Sequence, residues 1–137
     1  MSWAELVLAT CATFATPQLP DQMEAVASAY GVDPALVLAV VWTESRCDPS
    51  ALGRDNDSGL MQVIPKWHGA RIDRLGVTDL FDPVQNMTLG VDLLVDLGAK
   101  KDLRKALATY NGGPSRPAAS YRYADTIITL YQQLKDN

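Results

Sequence analysis

An all-α domain with at most a small hairpin is what this 137-residue sequence predicts. Three observations carry the prediction. Apolar residues recur at three- and four-residue spacing along most of the chain, the pairs Asp33-Pro34 and Asp82-Pro83 each open such a stretch with a cap and a pre-set first helical residue, and no alternating run is longer than a hairpin arm.

Met1 to Ala15 is apolar but carries Glu5 and no basic residue. The run from Leu6 to Ala15 is too short to span a bilayer, and a secretory signal normally begins with positive charge, so a short helix packed on the domain is expected. Thr16-Pro17 to Pro20 breaks the chain, after which Met23, Val26, Ala27 and Tyr30 mark a helix stopped at Gly31. Asp33-Pro34 starts the next helix, a strongly apolar run from Ala35 to Thr43 closed by Glu44 and Ser45, with Val37, Val41 and Glu44 on one face. From Cys47 to about Ile64 the composition turns to Asp, Asn, Ser, Gly and Pro, which predicts an irregular loop or small hairpin. A short helix is expected over Pro65 to Leu75, stopped at Gly76, and another from Asp82-Pro83 to about Leu97 through Val84, Met87, Val91, Leu94 and Val95. Asp102 caps Leu103 to Tyr110, which ends in Asn111-Gly112-Gly113-Pro114. Pro117 opens the last helix, striped by Tyr123, Ile127, Leu130, Tyr131 and Leu134.

A chain of this length buries roughly two-thirds of its unfolded surface and folds as one domain. Its 12 basic and 16 acidic residues leave a net charge of −4, and the basic residues gather nowhere beyond the stretch around Lys100-Lys101, so the concentrated basic face that nucleic acid requires is lacking. His68 is the single histidine, and two distant cysteines make no ligand cluster, so neither a metal nor a cofactor is expected. For Cys11 and Cys47 the reading favours free thiols, with Cys47 packing as a small hydrophobe; one disulfide is the alternative.

A carboxylate at the end of an apolar helix is held partly out of water near the negative end of the helix dipole, and both effects disfavour ionisation. Glu44 therefore reads as a general acid. Glu44-Ser45, Gly59-Leu60-Met61-Gln62, Ala108-Thr109-Tyr110-Asn111-Gly112-Gly113 and Tyr123-Ala124 resemble, in order, the four motifs of the lytic transglycosylases of the Slt type, which share a fold with goose-type lysozyme. The resemblance runs from about Leu19 to about Leu134. It implies residues 1–18 as an N-terminal helical extension and 19–137 as a lysozyme-like catalytic domain.

That resemblance implies a peptidoglycan lytic transglycosylase cleaving the β-1,4 bond between N-acetylmuramic acid and N-acetylglucosamine and leaving 1,6-anhydro ends. Glu44 would act as single acid and base and Tyr123 would hold the sugar or position the acid. Ser45 would bond the glycan, the carboxylate or its own backbone. Gly59 would give a tight backbone path beside the sugar, Met61 a groove wall or core packing, Gln62 a hydrogen bond to an acetamido group or hydroxyl, and Tyr110 and Asn111 a groove lining. Trp42, Trp67 and His68 are candidates to line subsites, with packing the default for each. The partners implied are peptidoglycan glycan strands, met by a monomer with no stable membrane insertion, in the periplasm or cell wall. The chain suits a phage lysis or entry enzyme, or a transglycosylase attached to an envelope-spanning machine.

Asp55, Asn56 and Asp57 precede the second motif and are richer in acid than a one-carboxylate mechanism requires. In goose-type lysozymes acidic residues in the corresponding loop help position water. A hydrolytic muramidase using Asp57 or Asp55 is therefore the second reading, and an inactive glycan-binding module of a phage or secretion assembly the third. Glu44, Gln62 and Tyr110 argue against that third reading, since binding alone needs no proton donor.

Overall fold

The computed structural model describes residues 1–112 and 115–137; Gly113 and Pro114, in the turn expected after Asn111, lie outside the described residues. Among the described residues the chain forms α1 (Trp3–Thr10), α2 (Leu19–Tyr30), α3 (Pro34–Ser45), α4 (Gly69–Leu75), α5 (Pro83–Asp96), α6 (Leu103–Asn111) and α7 (Pro117–Lys135), with a 3-10 turn at Pro65–Trp67. The hairpin reduces to two isolated antiparallel bridges, Leu52 with Ser58 and Ser58 with Val63.

The helix starts follow local chemistry. Asp33 Oδ1 accepts from the Ala35 amide (2.9 Å), Asp82 Oδ2 from Gln85 (2.9 Å) and Asp102 Oδ1 from Lys105 (3.1 Å), each satisfying a first-turn donor that has no intrahelical partner. Ser2 and Glu5 close a reciprocal capping box on α1. Helix α2 begins earlier than the proline break suggests, at Leu19, because Pro20 stands in the first turn, where its missing N–H leaves no bond unmade. The helix expected over Pro65 to Leu75 is divided: His68 takes a φ of −130°, and α4 begins only at Gly69.

Helix α3 is the centre. Every residue from Ala35 to Val41 is buried, so this helix is enclosed on all sides rather than amphipathic. It packs against α7 and α2, α7 packs against α6, and α2 packs against α5. Helix α1 adds Leu6, Val7 and Cys11 to the same core and is tied to α2 by Trp3 Nε1, which donates to the Pro20 carbonyl (2.9 Å).

One expectation is corrected here. Cys11 and Cys47 are not free thiols but form a disulfide, with Cα atoms 5.5 Å apart. Each is 1% exposed, so the apolar surroundings inferred for Cys47 are present, and Cys11 is the neighbour that fills them. The bond joins α1 to the segment that follows the Glu44 helix. Its geometry lies within the ordinary range for disulfide Cα separations. No single described helix is long and apolar enough to cross a membrane.

Candidate active site

Glu44 lies in the last turn of α3, which ends where Arg46 and Cys47 turn left-handed at φ 53° and 67°. The packing of α3 on α7 brings Tyr123 to it across 79 residues of sequence, and the Tyr123 hydroxyl donates to Glu44 Oε2. Burial pushes the Glu44 carboxyl up, the Tyr123 hydroxyl pulls it part of the way back, and the charge of Asp57 adds to the rise, leaving it at about 7. Tyr123 and Tyr110 are held well above the ordinary phenol range, first by burial and then by the Glu44 charge, so both keep their protons.

Glu44 faces an open groove of about 440 Å³ whose lining includes Asp55, Asp57, Gln62, Tyr110 and Asn111. Tyr123 bonds the carboxyl without itself lining the groove. Tyr110 Oη donates to the Met61 carbonyl (2.6 Å), and Asn111 Nδ2 donates to Ser120 Oγ (3.4 Å).

The segment carrying Gly59 to Gln62 is fastened from three sides. Ser45 Oγ shares its proton between the carbonyls of Val41 (3.0 Å) and Leu60 (2.8 Å), so it joins the end of α3 to this segment. Gly59 has φ 74°, and a Cβ on it would sit 2.3 Å from Asn86 Nδ2 and 2.4 Å from the Leu80 carbonyl; the tight path is set by α5 and the turn before it. Met61, expected as a groove wall or core, has its side chain in the core at 0% exposure, against Gly90. Gln62, at φ 53°, lines the groove but directs Nε2 to the carbonyls of Ala51 (3.1 Å) and Gly59 (3.0 Å). Its amide nitrogen is thereby engaged by backbone.

Asn86 was not singled out from the sequence. Fully buried on α5, it accepts from the Met61 amide (2.8 Å) and donates to the carbonyls of Ser58 (2.8 Å) and Leu80 (2.8 Å). An amide at helical spacing from Gly90 and Leu93 on the face that α5 buries was the available signal, since such a group needs partners. Of the aromatic candidates, Trp67 and His68 line the groove. Trp42 lies elsewhere, beneath the Arg46 guanidinium at 4.8 Å. No three His, Cys, Asp or Glu side chains among the described residues gather to hold a metal ion.

Fold and site together define a lysozyme-like helical domain with a groove that holds a buried carboxyl raised to about 7. The chain belongs to the transglycosylase SLT domain family, which matches it over residues 21–129. It is 39% identical over 97 residues to a protein of Enterobacteria phage PRD1 named transglycosylase, a stretch covering 70% of this chain and 35% of that one. The fold is similar to that of an inactive mutant of lytic transglycosylase Slt from Pseudomonas aeruginosa, with TM-score 0.74 and 17% identity over 85% of this chain and 24% of that one. It is also similar to the 70 kDa soluble lytic transglycosylase of Escherichia coli, with TM-score 0.73 and 17% identity over 84% and 24%. The chain thus spans about a third of the phage relative and about a quarter of the two solved chains.

Proposed function

We propose that the domain cleaves the β-1,4 bond between N-acetylmuramic acid and N-acetylglucosamine in peptidoglycan, as a lytic transglycosylase acting at the cell wall. The observation that carries this reading is Glu44: a carboxyl poised at about 7, hydrogen-bonded by Tyr123 and facing an open groove. In the first step protonated Glu44 gives its proton to the glycosidic oxygen as the C1–O bond breaks, and the departing sugar leaves as an alcohol. Positive charge then builds at C1 and the ring oxygen of the muramic acid. In the second step the Glu44 carboxylate takes the proton of the C6 hydroxyl of that same sugar, whose oxygen bonds C1 and closes the 1,6-anhydro ring. A pKa near the working pH suits both roles, because one group must be acid and then base. The intramolecular hydroxyl has a high effective concentration, so water is not needed as nucleophile.

The other residues take supporting parts. Tyr123 orients the acid through its hydroxyl. Tyr110 and Ser45 hold the backbone of Leu60 and Met61 that borders the groove, Gly59 allows the path of that backbone, and the Met61 side chain anchors it in the core. Gln62 offers its remaining amide oxygen, and Asn111 its carbonyl, to the sugar. Residues 19–137 would form the catalytic domain, with 1–18 an extension bonded to it through Cys11.

Asp55 and Asp57 line the same groove and support a second reading, hydrolysis by an activated water. Mass spectrometry of products from digested sacculi separates the two. Anhydro ends are expected; reducing ends carrying ¹⁸O from labelled water would move the domain to the hydrolytic lysozymes.

A further inference from the structure

Trp67 is 69% exposed, more than any other large hydrophobic among the described residues. By contrast, Trp3 and Trp42 are partly buried against the core. Trp67 sits at the end of the 3-10 turn Pro65–Trp67, with Pro65 pre-setting the backbone, and borders the Glu44 groove. Lys66 Nζ lies over its ring, 4.8 Å from the centroid. A cation on one face leaves the other face of the indole open to a saccharide ring, and both contacts draw on the same π-surface.

The charges around this turn are arranged in two zones. The inner groove holds Asp55 and Asp57 against Arg116, with Glu44 able to remain neutral. An adjoining hollow of about 260 Å³ holds Arg54 and Lys66 against Asp55 alone. On a chain of net charge −4, an anionic polymer is attracted only where cations are gathered locally, and the outer hollow is such a place.

We propose that Trp67 and Lys66 form a subsite that stacks a sugar ring of the strand and selects sugars bearing an acidic substituent, the stem-peptide carboxylates of peptidoglycan, over neutral ones. This rests on the glycan-cleaving reading above. Trp67 supplies affinity for any sugar, and Lys66 beside Arg54 supplies the preference for charge.

The test uses the full chain carrying Glu44→Gln, which holds substrate without turning it over. Binding is measured to three probes: soluble peptide-bearing glycan strands, the same strands stripped of stem peptides by an amidase, and N-acetylglucosamine oligomers. Trp67→Ala is expected to weaken all three by about 3- to 10-fold, and Trp67→Phe to restore most of the loss. Lys66→Gln is expected to weaken the peptide-bearing strands by up to about fivefold, the stripped strands, which keep the lactyl carboxylate of each muramic acid, by less, and the neutral N-acetylglucosamine oligomers not at all, an effect that disappears at ~1 M salt. Binding of all three within twofold after Trp67→Ala would overturn the subsite. An unchanged preference for peptide-bearing strands over N-acetylglucosamine oligomers after Lys66→Gln would overturn its selectivity. If the chain with native Glu44 releases products from sacculi while these variants bind normally, the subsite alone fails; if it releases none and the Glu44→Gln form binds no probe, the glycan-cleaving reading fails with it.

Discussion

Two carboxyl groups are drawn into this protein, and they end in opposite states. Glu44 is raised to about 7. Asp92 on α5, 8% exposed, is also pushed up by burial, but hydrogen bonds from Tyr30 (2.8 Å), Arg74 (2.6 Å) and Arg71 outweigh that push and hold it below the ordinary range. Arg71 reaches on to Asp96 (2.7 Å), so α4 is pinned to α5 by a charged network. Glu44 has one neutral donor, Tyr123, and the negative charge of Asp57. Burial therefore acts in the same direction at both sites, and the neighbours decide the outcome. Two guanidinium groups make a fixed anion that joins helices; one phenol leaves a carboxyl that can exchange its proton.

The largest expected effect is at the first site. Glu44→Gln keeps the shape and removes the proton, so lysis of sacculi should fall by on the order of 10²- to 10⁴-fold or more. Turbidity loss within a few-fold of the unaltered protein would rule out Glu44 as the acid.

Stability should move the other way. The folded pKa of Glu44 lies above its ordinary 4.5, so between about 4.5 and 7 the native state holds a proton that the unfolded chain has released, and stability falls as pH rises through that window. The full difference corresponds to about 3 kcal/mol. Urea midpoints should show Glu44→Gln close to the unaltered protein at pH 4 and more stable at pH 8.

Asp92 has the opposite sign. Its folded pKa is depressed, so its contribution is present above the unfolded value and is lost as pH falls through the folded one. Asp92→Asn should cost about 2–3 kcal/mol at pH 7, less than a fully enclosed pair because Arg74 is 59% exposed, and the difference should shrink in acid. A pH-independent loss would mean that shape, not charge, holds α4 to α5.

The finest test alters the neighbours of Glu44. Tyr123→Phe removes the bond that lowers its pKa, so the alkaline limb of the pH–rate profile should move up while turnover slows; Asp57→Asn removes a charge that raises it, so the limb should move down with little loss of rate. An inactive Asp57→Asn beside an unaffected Tyr123→Phe would favour the hydrolytic reading.

Periodicity, the Asp caps and the prolines determined the helices from the sequence, because each depends on residues within one or two turns. The same local logic marked Glu44 as a carboxyl drawn out of water, and so as a candidate acid, since an apolar helix ending in a carboxylate states its own burial. It could not divide Pro65 to Leu75 at His68 or start α2 at Leu19, where the choice rests on marginal first-turn geometry. The pairing of Cys11 with Cys47 was equally hidden, since nothing local says which surface α1 will cover. Nor could spacing tell that Ser45 and the Gln62 amide nitrogen bond to backbone, that Met61 faces Gly90, or that Asn86 holds the segment together. Those partners come from other elements, and only the packing of α3, α5, α6 and α7 brings them within hydrogen-bond range. The position of Glu44 was legible in the sequence; its pKa was decided by the tertiary structure, because desolvation and charge are summed over neighbours such as Tyr123 and Asp57 that are distant along the chain and near only in the fold.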